Sequence, residues 1–320
     1  MLGVRHSLVS ALGNGLSPEK EVAMKYGVVT LVLATLVGYA YGQISPTTSD
    51  DLSTLMEKAE QGDAEAQFSL GLTYQNGECL PQNLDEAVNW YHKAAAQGHA
   101  DAQFNLGNEY AGSRGAVPYD PPEAAVWYLM AAEQGHTEAQ YILGRWYATG
   151  HGVPEDKNEA VKWYRMAAEQ GHAKAQYNLG THCAAGSGVQ KDLQEAAKWY
   201  LTAAQEGLAE AQAAIGFAYS AGKGVPQNHQ EALRWYTESA EGGFNRAQIW
   251  LGRIYAEGRV VPKNYVQAYV WWDVAARNMG EHAQKYRDDL SQLMTPDQIV
   301  EAQAKSAEWW AKHIEQKANE

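Results

Sequence analysis

Side chains able to do covalent or metal chemistry are sparse in this 320-residue chain, and their spacing argues against most of that chemistry. Two Ser-x-x-Lys strings, Ser17 to Lys20 and Ser220 to Lys223, have the spacing by which a lysine can assist a serine in acyl transfer. Such sites also need Ser-Asp-Asn and Lys-Thr-Gly elements, and neither occurs, so no catalytic residue is assigned. His99, His136 and His172 recur in register, each directly after a glycine. Equivalent positions in stacked helical layers lie roughly 10 Å apart, whereas zinc ligands lie about 2.1 Å from a shared ion. These histidines are therefore expected to open helices, with no metal and no cofactor assigned. The strings "GHGVPEDK" (150–157) and "GSGVQKD" (186–192) lack the G-x-x-x-x-G-K-[ST] phosphate-loop spacing and read as turns between helices.

The elements that would position these residues are written in a repeat. A phrase of the form A-x-A-Q-x-x-L-G-x-x-Y, a Gly-rich turn, then A-x-x-W-Y-x-x-A-A-x-x-G recurs six times. Its six closing glycines are Gly98, Gly135, Gly171, Gly207, Gly243 and Gly280, with Gly62 in the same register ahead of the first copy, and its tryptophans are Trp90, Trp127, Trp163, Trp199, Trp235 and Trp271. In "ADAQFNLGNEY" (100–110), Ala102, Leu106, Gly107 and Tyr110 share one helical face, while Asp101, Phe104 and Asn108 share another. The second half, such as "EAAVWYLMAAEQG" from Glu123, is apolar on nearly every side and reads as a more deeply packed helix ending at glycine. Gly71, Gly107, Gly144, Gly180, Gly216 and Gly252 sit mid-helix, where glycine costs about 1 kcal/mol relative to alanine. Their recurrence predicts close approach of the partner helix beneath the Trp-Tyr pair. Pro118, Pro121 and Pro122 enlarge the turn of the second repeat.

These motifs resemble the Sel1-like repeat family, a longer-turn relative of the tetratricopeptide repeat, over about Asp51 to Gly280. The resemblance implies an all-α fold, a right-handed α-solenoid of six helix-turn-helix repeats, used for protein-protein interaction. A cysteine-rich branch of this family staples each repeat with a cysteine pair and has had penicillin binding or β-lactamase activity attached to it. This chain has only Cys79 and Cys183, three repeats apart and expected about 30 Å from each other. Claims made for that branch therefore transfer poorly. The alternatives to an interaction scaffold are a β-lactam-recognising hydrolase and a lumenal quality-control adaptor; the mature chain has no Asn-x-Ser/Thr sequon to favour the latter.

Lys25 precedes an apolar run from Tyr26 to Ala40, with Ala40 and Gly42 suited to signal cleavage after Gly42. The run alternatively serves as an uncleaved anchor, although it is shorter than the ~20 residues a spanning helix needs. Residues 1–23 are read as an upstream extension with Met24 as the start, residues 24–42 as the signal, and 43–61 as an N-terminal cap helix. Residues 62–280 hold the six repeats and 281–320 the C-terminal capping helices. Thr295, Pro296 and Gln298 form a helix start, Trp309 and Trp310 pack on the last repeat, and the polar tail beyond them is expected to fray. An exported protein, periplasmic or secreted and without an integral span after cleavage, follows. Cleavage moves the formal charge from −13 to −14, which disfavours nucleic acid as a partner. The repeats specify no oligomeric state.

In tetratricopeptide relatives the first helix of each repeat lines the concave surface. The face opposite the core carries Phe68 and Leu72, Phe104 and Asn108, Tyr141 and Arg145, Tyr177 and Thr181, Phe217, then Ile249 and Arg253. Aromatics and arginine commonly anchor interfaces, so Phe104, Asn108, Tyr141, Arg145, Tyr177 and Thr181 are the candidate contacts for a protein or peptide. The competing reading is that Phe104, Tyr141 and Tyr177 bridge adjacent helices as core. With lysine on this face only at Lys174, a clamp for a peptide C-terminal carboxylate is doubtful.

Overall fold

A computed structural model describes residues 49–112, 116–279 and 281–319. The upstream extension, the signal segment and residues 113–115 of the proline-rich turn lie outside the described residues. Fifteen α-helices and no strand occur among those described. They fall into two compact units, one ending at Tyr119 and one beginning at Asp120. The first unit holds α1 (Ser49–Glu60), α2 (Ala64–Asn76), α3 (Leu84–Ala96) and α4 (Ala100–Ala111). Leu52, Leu55, Met56 and Ala59 of helix α1 cover Ala66 and Leu70 of α2.

The second unit begins with α5 (Pro121–Glu133), α6 (Thr137–Thr149), α7 (Lys157–Glu169), α8 (Ala173–Ala185) and α9 (Leu193–Gln205). It continues through α10 (Ala209–Ala221), α11 (His229–Glu241), α12 (Asn245–Glu257) and α13 (Tyr265–Met279) to α14 (Glu281–Ser291) and α15 (Pro296–Asn319). Each pair is set by its turn chemistry. First helices stop at left-handed glycines such as Gly150, Gly186 and Gly222, with φ of 71°, 74° and 63°. Second helices start at Asp156, Asp192 and Asn228, whose side chains accept the free amide protons of the first turn. The backbone amides of the same three residues donate to Tyr147, Cys183 and Tyr219, each at 2.9 Å, closing the turn.

The mid-helix glycines answer to the tyrosine of the Trp-Tyr pair rather than to its tryptophan. A Cβ added at Gly144 would lie 2.5 Å from the Tyr164 ring, and one at Gly180 would lie 2.8 Å from Tyr200. In the last pair Trp272 takes the tyrosine's place against Gly252. Trp163, Trp235 and Trp271 are buried as well.

Burial also explains the glutamine of A-x-A-Q. Gln67, Gln103, Gln140, Gln176, Gln212 and Gln248 are all buried, and each donates Nε2–H to the carbonyl eight residues earlier, as Gln140 does to Ala132 at 3.0 Å. Each satisfies a carbonyl in the last turn of the preceding helix, where the intrahelical ladder has no donor left. These bonds tie every repeat to the helix before it.

At the C-terminus, Thr295 Oγ1 accepts from the Gln298 amide at 3.3 Å and the Thr295 amide donates to Gln298 Oε1 at 3.0 Å. This is the expected reciprocal capping box. Trp309 and Trp310 pack against the core of α13, also as expected. The tail does not fray as expected: α15 runs on to Asn319.

Candidate partner-binding face

The residues before each first helix set its angle and chemistry. His99, His136 and His172 are N-caps whose Nδ1 accepts from the amides of Ala102, Ala139 and Ala175 at 3.3, 3.2 and 3.1 Å. Nε2 of His99 faces Glu65 Oε2 at 3.0 Å, and Nε2 of His172 faces Glu138 Oε2 at 3.0 Å. One neutral tautomer satisfies both contacts, since Nδ1 accepts while Nε2–H donates. His99 and His172 therefore cap one helix and hold a carboxylate of the preceding first helix. The Glu138 carboxyl is held below its ordinary range, chiefly by the His172 hydrogen bond, against the opposing effect of burial.

The rings of the candidate face sit beside these caps. Phe68 is 3 % exposed and stacks on His99 with centroids 4.6 Å apart, so at this end of the column the ring is core. Tyr141 is half-buried, stacks on His172 at 4.3 Å and leans on Tyr164 at 6.2 Å. Burial raises its hydroxyl pKa, partly offset by Arg145. Tyr177 is half-buried against Tyr200 at 5.8 Å, and Phe104 is half-buried on α4. These rings thus serve both readings, with one side packed and one side open.

The column one turn further along is more exposed. Asn108, Arg145, Thr181, Phe217 and Arg253 are all exposed, and only Leu72 is half-buried. The Arg145 guanidinium lies 5.8 Å from the Tyr141 ring centroid, and no carboxylate among the described residues is paired with it. Thr181 Oγ1 donates to Tyr177 O at 3.0 Å and approaches the Tyr200 hydroxyl at 3.4 Å. Tyr141 with Arg145, and Tyr177 with Thr181, are thus brought together; Phe104 and Asn108 share α4 in the other unit.

Trp250 lies outside the aromatic column, yet it is among the exposed large rings of the second unit. Its signal is in the repeat register: the equivalent residues are Ser69, Asn105, Ile142, Asn178 and Ala214.

Lys223 Nζ lies over the Phe217 ring at 4.9 Å, and Ser220 O accepts from Gln227 in the ordinary close of a turn. Both cysteines are free thiols, Cys79 exposed and Cys183 buried, where burial raises the Cys183 thiol pKa to about 11. A cavity of about 430 Å³ at the C-terminal cap is lined by Asp273, Arg277, Arg287 and Ser306 among others. Ser306 donates to Asp273 at 2.7 Å and Arg287 pairs with it at 2.9 Å. The cluster pins α15 to α13 and α14.

The Sel1 repeat model matches residues 64–99, 100–136, 137–172, 173–208, 209–244 and 245–278. The chain belongs to the Sel1 repeat family. Sel1 repeat proteins generally mediate protein-protein interaction and are generally non-enzymatic. The fold is similar to that of c5321, a protective antigen present in uropathogenic Escherichia coli strains displaying an SLR fold. That likeness has 36% identity and a TM-score of 0.72, and covers 83% of this chain and 56% of c5321. The chain thus spans little more than half of that relative. A Sel1 repeat protein from Oxalobacter formigenes is similar at 33% identity and a TM-score of 0.63, covering 78% of this chain and 98% of that one. No functionally curated protein matches the chain. Among the described residues no helix is long and apolar enough to cross a membrane.

Proposed function

We propose that this Sel1 repeat protein is an exported, non-catalytic scaffold that holds a protein or peptide along the open face of its first helices. In the second unit the contacts are Tyr141, Arg145, Tyr177 and Thr181, and in the first unit Phe104 and Asn108 hold the corresponding repeat positions. The observation that carries this reading is a contrast between two columns of the same helices. The core column repeats Leu, Gly and buried Gln almost without change, while the adjacent exposed column changes from Asn108 to Arg145, Thr181, Phe217 and Arg253. Stability accounts for the first column; the second contributes little to packing and presents an uneven, partly aromatic surface of the kind that binds partners.

Export rests on the apolar run after Lys25, and the likeness to a protective antigen agrees with it. Periplasmic and secreted destinations share this signal. The mature protein would begin at Gln43.

Affinity capture from envelope and external fractions tests the reading, with Arg145→Ala and Thr181→Ala together as the variant. Both side chains are exposed, so the fold should persist, as a thermal melt would verify. The expected outcome is a specific partner held by the parent protein and lost by the variant; equal retention by both would overturn the assignment of this face.

A further inference from the structure

The face just described changes character at its C-terminal end, where several departures from the repeat pattern coincide. Phe217, Trp250 and Tyr286 are exposed by 42%, 41% and 47%, all within one compact unit. Phe217 stands where other repeats carry Asn108, Arg145 and Thr181, and Trp250 stands where they carry small, polar or aliphatic residues. The two rings meet edge to face with centroids 6.5 Å apart, and Trp250 stacks on the buried Tyr236 at 6.0 Å and 4°. Tyr286 of α14 packs at 5.4 Å on Trp272, the ring that lies against Gly252 next to Arg253 in the chain.

Tyr236 beneath them is 2% exposed, and its hydroxyl has no hydrogen-bond partner among the described residues, whereas those of Tyr91 and Tyr200 reach Gln75 and Thr181.

The patch is also electropositive within an acidic chain. Lys223 lies over Phe217 at 4.9 Å and Arg253 over Trp250 at 6.0 Å. Arg253 and Arg259 share the single carboxylate of Glu257, while the whole chain carries −13. Exposed rings bearing cations offer an apolar floor and a positive rim.

We propose that Phe217, Trp250 and Tyr286, with Lys223 and Arg253, form the docking site for an extended peptide segment in which an aromatic or aliphatic side chain is flanked by carboxylates. The apolar side chain lies on the Phe217–Trp250 pair and the carboxylates meet Lys223 and Arg253. This deepens the scaffold reading and rests on it, because it names the chemistry of the partner at one end of the same face.

Fluorescence polarisation with the full chain tests the site, using a labelled synthetic peptide that alternates phenylalanine with aspartate and glutamate, and a twin with lysine at every acidic position. The acidic peptide should bind about 10-fold more tightly than its twin, and Trp250→Ala should weaken it by a similar factor. Affinity should fall as salt is raised. Because Trp250 touches Tyr236, Phe217→Ser and Lys223→Glu at more exposed positions serve as a second pair, each expected to weaken binding in a protein whose melting curve is unchanged. Charge-blind binding, absence of binding, or indifference to both sets of variants would overturn the site. If the captured partner is lost with Arg145→Ala and Thr181→Ala while the acidic peptide fails to bind, the scaffold reading stands and this inference alone falls.

Discussion

Glu206 occupies the position that Gln97 and Gln170 fill in their repeats, the residue that ends the second helix, with nearly the same backbone angles. Gln97 Nε2 donates to Oε1 of Gln67, and Gln170 Nε2 to Oε1 of Gln140, each at 2.7 Å. A carboxylate has no proton to give, and Oε1 of Gln176 is accordingly left without a partner. Glu206→Gln should restore the missing bond and stabilise the protein by about 0.5–1.5 kcal/mol, the net worth of one such hydrogen bond. Denaturant unfolding with an unchanged m-value would measure it; no gain would show that the orphaned oxygen is satisfied by water. The glutamine ladder was present in the sequence as a bare repeated letter. Its role was not legible there, because a polar residue inside an apolar pattern shows that a partner exists without showing which carbonyl it is.

Helix spans, turns and caps were far more legible, since glycine, proline and capping residues act through local geometry. The reciprocal bonds of Thr295 and Gln298 follow from the letters T-P-x-Q alone. Contacts between helices were less so: the sequence suggested a Trp-Tyr pair over each glycine, and only packing assigns the tyrosine to it. Between neighbouring first helices, the His172–Glu138 contact adds a strut whose strength depends on pH. The Glu138 carboxyl is lowered in the folded state, so its contribution is fully present above the unfolded carboxylate value and lost as pH falls through the folded one. Thermal midpoints of the parent should exceed those of Glu138→Gln at about pH 6, and the gap should narrow as pH falls below the ordinary carboxylate range. A gap that stayed constant across that range would mean that the contact does not depend on the ionised carboxylate.

For the whole molecule, six copies in one register made the architecture readable before any contact was known, because a solenoid is specified repeat by repeat. Its binding face was readable only in part. Helical spacing found the column containing Arg145 and Thr181, but it could not tell that Phe68 is core or that Trp250 breaks out onto the surface. Both outcomes depend on how neighbouring repeats lean together. The central claim is that the first helices present the binding face, and site-specific photo-crosslinking tests it most directly. A photoreactive residue would be placed at Arg145, Thr181 or Phe217 on first helices, and at Met130 or Lys198 on second helices, all five positions being exposed. The account predicts cross-links to the captured partner from the first three sites and none from the last two; cross-links confined to Met130 or Lys198 would contradict it.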